Sequence, residues 1–99
     1  MTIDVNKNGK TLLLAPEGRL DTTTAPELEA ALKENLEGAE ELIFNLEKLD
    51  YISSAGLRVL AIAKRNMKNR GSMKVTGVNE VLMEIFEITG FTRLLGLEE

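Results

Sequence analysis

The stretch Asp50-Tyr51-Ile52-Ser53-Ser54-Ala55-Gly56-Leu57-Arg58 holds the residues whose types and spacing suggest chemistry. Two adjacent serines follow a short polar link after an apolar run that ends at Leu46, and an amphipathic stretch begins directly behind them. That order reads as strand, tight loop and helix, with the hydroxyls at the helix entrance. A serine there has two uses. It caps the helix, accepting a hydrogen bond from one of the first four N–H groups that have no partner inside the helix. Or it carries a phosphoryl group, because unpaired N–H groups and the positive end of the helix dipole make this the place where an added phosphate disturbs its host least. A third use, as a nucleophile, lacks its base. The sequence has no histidine and no cysteine, Gly-x-Ser-x-Gly is absent, and no lysine stands close enough in sequence to suggest a serine–lysine pair. No catalytic residue is therefore assigned, and the chain reads as a non-enzyme. The same absences remove the usual zinc ligands and any disulfide. Neither a Walker motif nor Gly-x-Gly-x-x-Gly occurs, so no metal or cofactor is expected.

Charge narrows the partners. The net charge is −4, yet between Tyr51 and Asn79 there are six basic residues (Arg58, Lys64, Arg65, Lys68, Arg70, Lys74) and no acidic one, while all sixteen acidic residues lie outside. Such a positive helix on a negative body either steers an acidic partner or is simply a solvated face. Nucleic acid is not an expected partner: the pI is about 4.9, and none of the four aromatic residues (Phe44, Tyr51, Phe86, Phe91) is interleaved with the basic cluster as a stacking surface requires. No apolar run approaches the roughly eighteen residues of a membrane span. Met1-Thr2-Ile3-Asp4 lacks a basic region followed by a hydrophobic core. A cytoplasmic protein without direct membrane insertion is expected, and Met1 with Glu98-Glu99 fits a complete short chain.

The elements that must position the serines follow from periodicity. Ile3 and Val5 alternate with polar residues, Lys7-Asn8-Gly9-Lys10 forms a turn around an Asn-Gly pair, and Thr11 to Ala15 resumes the apolar run, giving a β-hairpin with its first strand at an edge. Pro16-Glu17-Gly18 breaks the second strand, and Arg19-Leu20-Asp21 forms a connection. Thr24 caps the next helix, with Pro26 in the first turn and Glu27 in capping-box position. Leu28, Leu32 and Leu36 make a one-faced helix closed by Gly38. Glu41 to Leu46 is a nearly continuous apolar run that suits a central strand buried on both faces. The helix after Ser54 ends at Asn69-Arg70-Gly71, and Met73 and Val75 form a short strand. Val78, Val81, Leu82, Ile85, Phe86 and Ile88 give a further helix ended by Gly90, and Phe91, Leu94, Leu95 and Leu97 form a docked tail. The predicted order is β-β-α-β-α-β-α in one α/β domain over residues 1–99, with a mixed central sheet, right-handed crossovers and packed helices.

At Ser53-Ser54-Ala55-Gly56-Leu57 the sequence resembles the STAS domains (SpoIIAA-like fold), in particular the small stand-alone anti-sigma-factor antagonists of bacteria. The likeness covers the whole chain: the hairpin, Gly18-Arg19-Leu20-Asp21, the strand from Leu42 to Leu46, the serine loop, and Gly90-Phe91. It implies a phosphorylation-switched binding module. The unmodified protein would occupy an anti-sigma factor that is also its serine kinase, freeing a sigma factor to activate transcription, and a serine phosphatase would reset it. By position the phosphoacceptor is Ser54, two residues before Gly56. Many such sequences carry aspartate just before the acceptor, where this chain has Ser53, which makes Ser53 the second choice. The resemblance implies a partner surface of Asp21, Ser53, Ser54, Ala55, Gly56, Leu57 and Arg58. Asp21 would hold the hydroxyl or touch the partner, or else merely begin the turn into the first helix. A rival within the same family is a STAS domain serving a lipid-transport, stress-signalling or anion-transporter-regulating assembly.

Overall fold

The computed structural model describes residues 1–97; the Glu98-Glu99 end, read above as the finish of a complete chain, lies outside the described residues. The hairpin forms from β1 (Thr2–Asn8) and β2 (Thr11–Leu20), antiparallel from Thr2↔Glu17 to Asn8↔Thr11. Its two-residue turn is Gly9-Lys10, one position later than the Asn-Gly pair suggests. Gly9 takes the positive φ of 61° that tight hairpins demand.

Strand β2 does not break at Pro16. It runs on to Leu20 because it changes partner on the way: Thr11–Leu14 pair in parallel with β3 (Glu41–Asn45), and Gly18–Leu20 pair in parallel with β4 (Leu49–Ile52). Pro16, which has no N–H to give, falls in the interval between those two ladders. The register shifts between Gly18 and Arg19, with Gly18 at φ 99°, so the proline–glycine pair re-aims the strand instead of ending it. Strand β4 is itself an addition to the predicted order, since Asp50-Tyr51-Ile52 reads as loop in the sequence.

Helix α1 (Ala25–Asn35) precedes β3, α2 (Ser54–Met67) follows β4, and β5 (Ser72–Thr76) pairs in parallel with β3; α3 (Glu80–Thr89) and the short α4 (Phe91–Leu94) complete the described chain. The order in the mixed sheet is β1-β2-β3-β5, with β4 on β2 beyond the end of β3. Register lines up two rows across it, Leu12–Leu42–Met73 and Leu14–Phe44–Val75, all buried, whereas Leu13 and Ile43 between them are only half-buried. Strand β3 is therefore central but sealed on one face, not both. The sealing comes from Leu28 and Leu32 of α1, Leu57, Leu60, Ala63 and Met67 of α2, and Leu82 and Phe86 of α3. Val81 and Ile88, counted on periodicity toward the core, are 56% and 77% exposed. The tail docks through buried Leu95, while Leu94 stays at the surface.

Candidate functional site

Leu20 and Ile52 are the last register partners of the β2–β4 ladder, and the Ser53 N–H donates to the Leu20 carbonyl at 2.8 Å. From that clasp the two strands part, one into Asp21 and α1, the other into the serines and α2. Two helix starts are thus held side by side.

At the start of α2, Ser53 occupies the N-cap position with extended backbone (φ −97°, ψ 178°), and its carbonyl accepts the first helical bond from Leu57 N–H at 2.9 Å. Its side chain makes no capping bond. The Ser53 Oγ is buried with no hydrogen-bond partner among the described residues. Ser54, the first helical residue, is exposed. Neither serine caps the helix, so the N–H groups of Ser54, Ala55 and Gly56 have no side-chain acceptor among the described residues.

Apolar packing fixes this helix start instead. Gly56 is buried, and a β-carbon there would lie 2.7 Å from both Leu20 Cγ and Ile52 Cγ1. A glycine lets α2 press directly onto the end of the β2–β4 ladder. Leu57 also points inward. Gly56 and Leu57, expected on the partner surface, thus offer it no exposed side chain; Ala55 is half-buried and Arg58 exposed. The Glu29 carboxylate on α1 sits below its ordinary value mainly through Lys33, 2.9 Å away, with a smaller contribution from the Arg58 charge.

The start of α1 is finished differently. Asp21 Oδ1 accepts from the Thr23 N–H at 3.0 Å, the Thr23 hydroxyl at 2.8 Å and the Thr24 N–H at 3.2 Å. These bonds, the Thr23 hydroxyl first, hold the Asp21 carboxyl below its ordinary pKa. Thr24, the predicted cap, accepts from the Asp21 N–H and donates to the Arg19 carbonyl at 2.7 Å, closing the turn without capping the helix. Asp21 thus holds the turn just ahead of α1 rather than capping the helix itself, and its hydrogen bonds stay within that turn instead of reaching Ser53 or Ser54. On the other side of the clasp, the Arg19 guanidinium lies 4.4 Å from the Tyr51 ring centroid. This contact follows from the pairing of Arg19 with Tyr51 and is invisible until β4 is recognised as a strand.

A family model described as STAS domain matches residues 2–99. BtrV of Bordetella bronchiseptica is 34% identical over 93 residues, which cover 92% of this chain and 80% of that protein. The anti-sigma-B factor antagonist of Staphylococcus aureus is 33% identical over 84 residues, covering 83% of this chain and 78% of that one. Among solved structures, the Bacillus cell fate determinant SpoIIAA in its phosphorylated form superposes with a TM-score of 0.75 at 16% identity, over 93% of this chain and 86% of that one.

Proposed function

The chain belongs to the STAS domain family, and from that premise we propose that it is an anti-sigma-factor antagonist whose grip on its partner is released by phosphorylation of Ser54. The observation that carries this reading is the contrast within one serine pair. Ser54 is exposed on the first turn of a helix with no side-chain cap, whereas the Ser53 hydroxyl is buried.

Unmodified, Ser54, Ala55 and Arg58, with Asp21 beside them, meet an anti-sigma factor and keep it from a sigma factor. Gly56 and Leu57 contribute by setting the pitch of α2 from beneath. Transfer of a phosphoryl group to Ser54 Oγ adds a charge of about −1.5 to −2 at the positive end of the helix, where nearby N–H groups accommodate it. The partner surface has no such compensation. If enclosing that charge without matched donors costs about 4 kcal/mol, affinity falls roughly a thousandfold with no change of fold. The role is that of a binding module. In this scheme the anti-sigma factor is itself the serine kinase, a serine phosphatase restores the hydroxyl, and the exchange takes place in the cytoplasm.

Mixing the protein with its cognate anti-sigma factor and ATP is expected to add one phosphate at Ser54 and none to Ser54→Ala, as read by intact mass and peptide mapping. Calorimetry is expected to show the phosphorylated form binding at least a hundredfold more weakly than the unmodified one. Phosphate on Ser53, or equal affinity of the two forms, would overturn the assignment.

A further inference from the structure

Roughly 16 Å along α2 from Ser54, at 1.5 Å per residue to Arg65, lies a cavity that the switch does not use. It measures about 720 Å³, between the last two turns of α2, the start of β5 and the end of α4. Its floor is apolar: Met67 and Met73 are buried, and Leu94 stands at the edge, 41% exposed. Lys64, Arg65 and Lys68 also line it, no acidic side chain does, and none of those three cations has an ion-pair partner among the described residues. Two lysines of the turn and sheet stand in contrast. Lys10 pairs with Glu40 at 2.8 Å and Lys74 with Glu41 at 3.6 Å.

We propose that this cavity binds an anionic amphiphile, a linear aliphatic chain ending in a carboxylate. The volume falls within the range of about 300–1,000 Å³ typical of small-molecule sites. Two unbranched methionines form a floor that adapts to an aliphatic chain. The cations occupy positions i, i+1 and i+4 at the end of α2, Lys68 being its C-cap, hence little more than one turn, and so gather around a single compact head. A row of carboxylates spread along an acidic peptide fits that clustering less well. The carboxylate takes charge-assisted bonds from Lys64, Arg65 or Lys68, and the tail covers Met67, Met73 and Leu94.

The test titrates dodecanoate, below its micelle-forming concentration, into the full ¹⁵N-labelled chain. Saturable shifts are expected at residues 61–68, Met73 and Leu94. Each methylene removed from the tail is expected to weaken binding about fourfold, making decanoate about sixteenfold weaker. Dodecyltrimethylammonium, with the same tail and the opposite head, is expected to bind at least tenfold more weakly. The double variant Lys64→Gln/Lys68→Gln should weaken dodecanoate about tenfold without altering the other backbone resonances. Leu94→Glu, a change at an exposed position, should do the same. Equal binding of the cationic amphiphile, no dependence on tail length, or shifts spread equally over Val81 and Ile88 would overturn the proposal. So would an acidic peptide that saturates the same residues while dodecanoate does not, which would make the groove a protein-docking surface.

Discussion

The starts of α1 and α2 stand next to each other at the end of one strand ladder, yet they are secured in opposite ways. Helix α1 is entered through a polar turn, in which the Asp21 carboxylate gathers the Thr23 and Thr24 donors just ahead of the helix. Helix α2 is fastened from below by Gly56 pressed onto Leu20 and Ile52 and by Leu57 buried in the core, with no side chain capping its top among the described residues. Helix α3 has the side-chain cap that the other two lack: Asn79 Oδ1 accepts from the Leu82 N–H at 2.9 Å and its amide donates to the Leu49 carbonyl. A missing cap costs about 1 kcal/mol, and full burial of one side chain such as Leu57 contributes about 2 kcal/mol. Packing therefore offsets what α2 forgoes, and its first N–H groups remain available to a group added later. A helix start held by its apolar side keeps its first N–H groups open to an added negative group.

The hardest blow to that arrangement is Gly56→Val. Its β-carbon would sit well inside contact distance of Leu20 and Ile52, both essentially inaccessible. Neither can yield cheaply, because the crowded atoms, Leu20 Cγ and Cδ2 and Ile52 Cγ1, belong to side chains that are themselves enclosed by the core. Overpacking of this kind costs about 3 kcal/mol, and urea denaturation should show a loss of that size. A near-neutral result would mean that α2 is not seated by close approach.

Asp21→Ala attacks the other start and should lower the urea midpoint by less. Here the sign of the pH effect is diagnostic. Because the folded-state pKa of Asp21 lies below its ordinary 3.8, its contribution is fully present above that value and is lost as pH falls through the lowered one. The gap between wild type and Asp21→Ala should be widest at neutral pH and close in acid, whereas the Gly56→Val penalty should persist at both. A gap unchanged in acid would remove the carboxylate from the account.

Residue patterns were a good guide wherever one side of an element alternates with the other. Leu28 and Leu32, the hairpin, and the position of the serines at a helix start could all be read from spacing. What could not be read depended on partners distant in sequence. Pro16 looks like a terminator because a proline in an uninterrupted ladder would be one, and only the exchange of β3 for β4 makes it tolerable. Leu49–Ile52 is too short to show a period. Thr24 matches the capping pattern and stands at the N-cap position, yet its hydroxyl turns to the Arg19 carbonyl, a turn geometry that local sequence leaves open. The same limit applies to the candidate site: the serines could be placed at a helix start, but which of them faces water could not. Gly56 was attributable equally to the partner surface and to packing until Leu20 and Ile52 were found beneath it.

Ser53→Ala tests the buried half of the serine pair. Its Oγ is out of solvent with no partner among the described residues, and an unsatisfied hydroxyl is a cost that alanine, of nearly the same shape, removes. The variant should be more stable than wild type by about 1 kcal/mol. Ser54→Ala, at an exposed position, should change stability by less than about 0.5 kcal/mol. A destabilised Ser53→Ala would show that the hydroxyl is satisfied after all, and would weaken the distinction between the two serines.

A smaller gain than that of Ser53→Ala is expected of Ser54→Asp, and it is the most discriminating. An acidic side chain on the first turn of an uncapped helix faces the positive end of the dipole and free N–H groups, which should stabilise the fold by about 0.5 kcal/mol. The same substitution at the first position of α1, Ala25→Asp, should give no such gain, because Asp21 already supplies the negative group and Ala25 is 5% exposed. Thermal unfolding of the two variants side by side, paired with calorimetry against the anti-sigma factor, separates the two faces of the proposal. Ser54→Asp should unfold no earlier than wild type while binding far more weakly. Were it to unfold several degrees sooner, any weakened binding would trace to a damaged helix start and not to a charge placed in an interface.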